Sequence, residues 1–289
     1  MLKKIAFSFA PLVLSASTCQ IPANLQNIVA NSSPKSLSNI RDIQRNYAKL
    51  KHLCVKKLSF KEGRLVWNML LVWNPKAPRG VFWFLPHDNE NSAFDSAVYS
   101  ATKYGGGFLS VLDGDNRYNH TQDPNRNFSN SSQRVCKQQV APSPIYTSVV
   151  FGVIDTFKAP NMPYLAIHNN TNGGGITALK SNSKVKSYLA YPKKEVFKAN
   201  SGLKDADNLV YIAGVNPTPS RYKLQKLLKN GLNVRYETVN PQNNDCSMSN
   251  YVVLEKNTQN YYNIEAQHGQ TKTQKRMVDI LINRVIFNW

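Results

Sequence analysis

The chain has 289 residues, 36 of them lysine or arginine against 17 acids, for a formal net charge of +19. Beyond Leu14 it contains no apolar run of membrane-spanning length, and its 4 cysteines form no Cys-x-x-Cys pair, which argues against a helical membrane-spanning protein and a cysteine-rich zinc fold. The positive excess implies attraction to anionic partners such as nucleic acid, lipid headgroups or acidic cell-wall polymers; it suits simple solubility equally well.

Met1-Leu2-Lys3-Lys4, the apolar run Ile5 to Leu14 and the small residues Ser15-Ala16-Ser17-Thr18 have the layout of a secretory signal over residues 1–18. Its removal takes two lysines and no acid, leaving +17. Cys19 follows directly and resembles a bacterial lipoprotein site, except that Thr18 stands where Gly, Ala or Ser is usual. Acylation at Cys19 and ordinary cleavage nearby are both open, and either places the mature protein in the periplasm or cell envelope. Residues 19–50, rich in Asn, Ser and Gln with the breaker cluster Asn31-Ser32-Ser33-Pro34, read as a tether. Residues 51–289 suit one domain. In an oxidising compartment two of Cys54, Cys136 and Cys246 can pair, and their spacing does not choose which.

Short apolar runs with aromatic and β-branched residues predict buried strands at Val66 to Trp73, Val81 to Leu85, Phe108 to Leu112, Tyr164 to Ile167, Leu209 to Ala213 and Tyr261 to Ile264. Helices are predicted from Ser92, as cap with Asp95 as its partner, to Tyr104 with Gly105 as the stop, from Ser220 to Lys229, and from Gln274 to Ile286. Strands alternating with helices predict an α/β fold, a single domain with a mixed, largely parallel sheet flanked by helices.

Three predicted strands run into polar residues. Leu85 leads to Pro86-His87-Asp88-Asn89-Glu90, Ile167 to His168-Asn169-Asn170, and Ile264 to Glu265-Ala266-Gln267-His268. Open α/β sheets bind ligands beyond the carboxyl ends of their strands, so these ends are candidates to converge. His87 and Glu90, three apart, can reach one metal ion, and His168 is a natural third ligand; two imidazoles and a carboxylate suit Zn2+. A fourth polar segment, Asp123-Pro124-Asn125-Arg126, lies between them in sequence.

In this order, His-x-x-Glu, Asp-x-Asn-Arg, a His after a strand and a late Glu, the chain resembles the zinc metallocarboxypeptidases and the related succinylglutamate desuccinylases. The runs HDNE, YGGG, DPNR, HNN and NIEAQHG are similar to a poorly characterised bacterial subgroup, over roughly residues 80–285. The resemblance implies that His87, Glu90 and His168 hold zinc, that Glu265 is the catalytic acid–base, and that Asp123 orients His87. It implies that Asn125 and Arg126 grip a substrate carboxylate, a pairing suited to a bidentate guanidinium. Arg117 is the candidate to stabilise the tetrahedral oxyanion. Those carboxypeptidases also place a tyrosine over the substrate, for which Tyr251 is the nearest candidate, and the short stretch from Glu90 to Asp123 leaves less room for pocket walls.

The expected function is an exported zinc-dependent amide hydrolase acting beside a free carboxylate, on a peptide or N-acyl amino acid, with cell-wall peptide as one source. One alternative is a basic metal-dependent nuclease using Asp113 to Arg117, His120 and His168-Asn169-Asn170. It leaves His87, Glu90 and Glu265 without a role, so nucleic acid is not the expected partner. Another is a non-catalytic binding protein of the same fold. The chain has no dinucleotide fingerprint, and the runs Gly105-Gly106-Gly107 and Gly173-Gly174-Gly175 are not phosphate loops.

Overall fold

The computed structural model describes residues 19–30, 32–171, 203, 205 and 207–287, together with the backbone of residues 185–188. The expected signal, Asn31 and the run Gly173-Gly174-Gly175 lie outside the described residues.

The strands are β1 (Val29–Ala30), β2 (Cys54–Glu62), β3 (Leu65–Trp73), β4 (Phe82–Leu85), β5 (Gly107–Leu112), β6 (Tyr164–Asn170), β7 (Val185–Tyr188), β8 (Leu209–Gly214), β9 (Asn233–Thr238) and β10 (Tyr261–Gln267). They form one sheet in the order β1-β2-β3-β5-β4-β6-β10-β8-β9-β7. The pairings β5–β4, β4–β6, β6–β10 and β8–β9 are parallel, and the other five are antiparallel. The α/β fold and mixed sheet are as expected, but the sheet is not largely parallel: parallel pairing is confined to the central run β5-β4-β6-β10 and the pair β8–β9. The tight hairpin joining β2 to β3 and the antiparallel β10–β8 contact make the difference.

Side chains alternate across each strand, so one strand feeds two cores. In β3, Leu70 and Val72 join one face while Trp67, Met69, Leu71 and Trp73 join the other. That double burial explains why β3 reads as an almost unbroken apolar run. The first face is covered by α1 (Arg41–Leu50) through Ile43 and Leu50, α2 (Asn91–Tyr104) through Phe94, Ala97 and Val98, α4 (Arg221–Lys229) through Leu227, and α6 (Thr271–Ile280) through Met277 and Val278. The second face is covered by α3 (Pro144–Phe157) through Val150, Phe151 and Ile154, and by α5 (Met248–Leu254) through Val252.

The segment expected as a tether is instead folded onto the sheet. Ile43 and Leu50 are fully buried, Asp95 of α2 accepts hydrogen bonds from Arg45 Nε and Asn46 Nδ2 at 2.8 and 2.7 Å, and Cys19 is disulfide-bonded to Cys54. Asp95 is thus committed to α1 and not to a capping box. The N-cap of α2 is Glu90 and not Ser92, and α6 starts at Thr271, ahead of the expected Gln274. Gly105 does close α2, and Ser220 caps α4 through Lys223 N–H.

Candidate metal centre

The convergence follows from the parallel centre of the sheet. Parallel register pairs Glu265 of β10 with His168 of β6, so the two side chains leave one face side by side. β4 pairs Phe84 with Ala166, which puts His87 just past the same level. As N-cap of α2, Glu90 has non-helical backbone angles, and its side chain does not cap its own helix. The ligand atoms of His87, Glu90 and His168 all lie within 4.8 Å of one another, and all three residues are buried.

Glu90 is the hub. Its Oε1 lies 2.7 Å from His87 Nδ1 and accepts from Arg117 Nη1 at 3.0 Å; its Oε2 lies 3.3 Å from His168 Nδ1 and accepts from the Asn169 backbone N–H at 2.9 Å. The other ring nitrogen of His87, Nε2, is 2.9 Å from Asp123 Oδ1, and Gln274 Nε2 donates to the His168 carbonyl at 2.6 Å. Burial works against charge on His87, Glu90 and Asp123. For His87 the Glu90 and Asp123 carboxylates outweigh burial and raise its pKa. Burial would likewise raise Glu90, but the two facing imidazoles hold it well below the usual carboxylate range. Burial pushes Asp123 up too, and its hydrogen bond to His87 together with nearby Arg126 brings it down to about 2.

These residues fit a zinc ion. Two imidazoles and one carboxylate are a catalytic zinc donor set, and bonds of roughly 2.0–2.2 Å require ligand atoms clustered as these are. Asp123 on the far nitrogen of His87 is the usual outer partner of a ligating imidazole. His168 turns Nδ1 to Glu90, and its other ring nitrogen, Nε2, is buried without a hydrogen-bond partner among the described residues, a position that a bound water satisfies.

Glu265, Asn125 and Arg126 line one cleft with Tyr211, Glu237, Asp245, Ser247, Ser249, Tyr261 and Asn263. Burial raises the pKa of Glu265, opposed by His168 and reinforced by Glu90, and Asn263 Nδ2 donates to its Oε1 at 2.9 Å. Asn125 Oδ1 accepts from Met248 N–H at 3.1 Å, and Arg126 Nε stands 3.5 Å from Asp245 Oδ2. Arg117 is partly exposed and lies against Glu90. Its loop is clamped by Asp88 Oδ2, which accepts from the backbone N–H groups of Asp113 and Asp115 at 2.7 and 2.8 Å. Asp113 and Asp115 therefore belong to that clamp, and among the described residues the His87–Glu90–His168 group is the metal-competent cluster found. Tyr251 is not a cleft residue: it is buried against Phe151, with its hydroxyl 2.9 Å from Asn130 Oδ1.

Sequence reasoning missed Glu237 and Asp245. The signal for Glu237 was present in Val234-Arg235-Tyr236-Glu237, where polar and apolar residues alternate as in a strand with one polar face.

No family model and no curated protein matches the chain. Solved structures with a similar chain path include proteins described as "putative metallopeptidase" from three Shewanella species. That of S. amazonensis has a TM-score of 0.47 at 14% identity, over 85% of this chain and 94% of that one. That of S. denitrificans has 0.46 at 10%, over 93% and 100%, and that of S. baltica 0.43 at 10%, over 88% and 92%. At such similarity the chemistry of the site is read from this chain's own residues.

Proposed function

We propose that the chain is an exported zinc-dependent hydrolase that cleaves an amide bond beside a free carboxylate, in a peptide or N-acyl amino acid. The observation that carries this is the clustering of the His87, Glu90 and His168 ligand atoms, with Glu265 beside His168 and lining one cleft with Asn125 and Arg126. Bound zinc supplies Lewis acidity and lowers the pKa of a coordinated water to about 7. Asp123 holds the His87 ring so that Nδ1 faces Glu90. Glu265, buried with a raised pKa, is suited to take the attacking water's proton and return it to the leaving amine. Asn125 and Arg126 bind the substrate's carboxylate, and Arg117, anchored on Glu90, supplies positive charge where the oxyanion develops. The proposed setting is the periplasm or cell envelope, supported by the signal-like residues 1–18, and the basic charge suits an anionic cell-wall or membrane surface.

The test is metal content with turnover. Purified protein should hold about one zinc per chain, as a single three-ligand site requires. His87→Ala and His168→Ala should lose it. Glu265→Gln keeps shape but not the base, so zinc should stay while turnover of a cleavable substrate falls at least about a hundredfold. Protein that takes up no stoichiometric metal on zinc reconstitution would remove the proposal.

A further inference from the structure

The cations of this chain are unevenly divided between the two sides of the sheet. On the first side, α1 packs on α2 and α2 on α6, and the helical turn Leu281–Ile286 carries α6 to α4, so these helices form one layer. Each of them bears lysine or arginine. The acids of the layer are already taken: Asp42 and Asp95 by Arg45, and Asp279 by Lys103 at 3.0 Å. Lys49 of α1, Lys229 of α4 and Lys272 of α6 are exposed and form no ion pair among the described residues. On the second side, α3 and α5 carry no lysine or arginine, and Asp155 of α3 is paired with Lys256 at 2.7 Å. The pKa of Lys275 is lowered by burial and by the Lys49 ammonium, against the pull of Asp95, so like charges of α6 and α1 lie close together. Such crowding costs the folded chain stability, and an anionic partner relieves it. The layer also exposes aromatic rings. Tyr222 of α4 is 73% exposed and Tyr47 of α1 39%, and Lys226 Nζ stands 5.7 Å from the centre of the Tyr222 ring.

We propose that this helical layer docks on an anionic phospholipid surface, with its unpaired lysines on the headgroup phosphates and Tyr47 and Tyr222 among the headgroups. The inference stands apart from the hydrolase reading and holds whether or not the chain cleaves amides. Each lysine or arginine near such a surface strengthens binding by about fivefold, and tyrosine rings collect at the membrane–water interface, which favours lipid over a nucleic-acid duplex. Docking in this way leaves the cleft free. Asn263 and Glu265 alternate along β10 with Tyr262 and Ile264, which pack under the layer, so the cleft side chains leave the opposite side of the sheet.

The experiment is co-sedimentation of the purified exported protein with vesicles of phosphatidylcholine alone or mixed with phosphatidylglycerol. The mixed vesicles should bind at least about tenfold tighter at low salt, and the difference should vanish at about 0.5 M salt, where screening confines the field to the surface. A variant combining Lys49→Gln, Lys229→Gln and Lys272→Gln should lose at least about tenfold in affinity for the mixed vesicles. A control combining Lys61→Gln, Lys76→Gln and Lys137→Gln, exposed lysines outside the layer, removes the same charge and should bind within about threefold of wild type. Circular dichroism of both variants checks that each is folded. Equal binding to the two kinds of vesicle by the unmodified protein would overturn the proposal, and so would a control that weakens as much as the layer variant. A duplex DNA oligonucleotide is titrated in parallel. DNA binding that the layer variant loses, without preference for the anionic vesicles, would assign the layer to nucleic acid and overturn the lipid surface.

Discussion

At the scale of single residues, the site is a set of buried charges whose protonation is decided by neighbours. Glu237 shows the consequence for stability. Burial, reinforced by the Asp245 carboxylate, pushes its pKa from 4.5 up to about 7, against the pull of its hydrogen bonds and of Arg126. A folded-state pKa that is raised means the folded chain keeps a proton that the unfolded chain has already released. The associated stability is complete below the unfolded value and is lost as pH rises towards and through about 7. Asp42, raised to about 7 chiefly by burial, adds a trend of the same sign; Lys223, lowered to about 7 by burial, acts oppositely because its stability grows as pH rises above that value. A comparison of wild type with Glu237→Gln isolates the Glu237 part. Urea midpoints measured between about pH 5 and pH 8 should fall with pH less steeply in the variant than in the wild type. Parallel profiles would show that Glu237 titrates normally.

Among the elements, the clearest constraint is the entry of β5 between β3 and β4. Gly106 has φ +67°, donates to the Ala77 carbonyl at 2.7 Å and accepts from Asn74 N–H at 2.8 Å. A Cβ there would fall 1.9 Å from the Val81 carbonyl oxygen, which is backbone and cannot swing away. Gly106→Ala should therefore lower stability by about 2–4 kcal/mol, read by urea unfolding, combining a left-handed backbone with a clash. A loss under about 0.5 kcal/mol, the range of an ordinary surface change, would contradict that account. The same scale explains which elements the sequence concealed. α1 shows few apolar residues between charged ones, so its composition suggested a tether although Ile43 and Leu50 are fully buried. α3 is the reverse case, apolar around most of its circumference because it lies on the sheet with seven buried residues, which masks the helical period. β2 carries Lys56, Lys57 and Lys61 among its apolar residues and reads as surface until its pairing with β3 is seen.

For the whole molecule, the disulfides set how the ends and the cleft are tied. Cys136–Cys246 spans 110 residues and fastens the loop before α3 to the cleft wall, where Asp245 and Ser247 flank Cys246. Cys19–Cys54 fastens the segment before α1 to the start of β2. A sulfur in that bond cannot also carry a thioether-linked lipid, so the two fates of Cys19 exclude one another. We propose that the exported protein keeps the disulfide and is not lipid-anchored. Non-reducing peptide mapping of protein from its native envelope should find Cys19 joined to Cys54 and Cys136 to Cys246. A lipid on Cys19, or retained residues 1–18, would refute the proposal in its anchor or export half respectively.

What the sequence by itself determined is which polar side chains stand at the strand ends. His87, Glu90, His168 and Glu265 were legible because each follows a short apolar run, and burial of such runs leaves the next polar residues at the sheet's edge. Asp123, Asn125 and Arg126 were legible as a polar cluster, though not as neighbours of Glu237. Tertiary structure alone decided which ends meet. β4, β6 and β10 are adjacent in the sheet although long stretches of chain separate them, and β8 and β9 join beyond β10 to bring Glu237 to the same cleft. Strand order and register depend on pairings between distant segments, and no local periodicity encodes those. The same reason applies to the cysteines: their spacing left the partners open, and only the folded positions of Cys54 beside Cys19 and Cys136 beside Cys246 chose them.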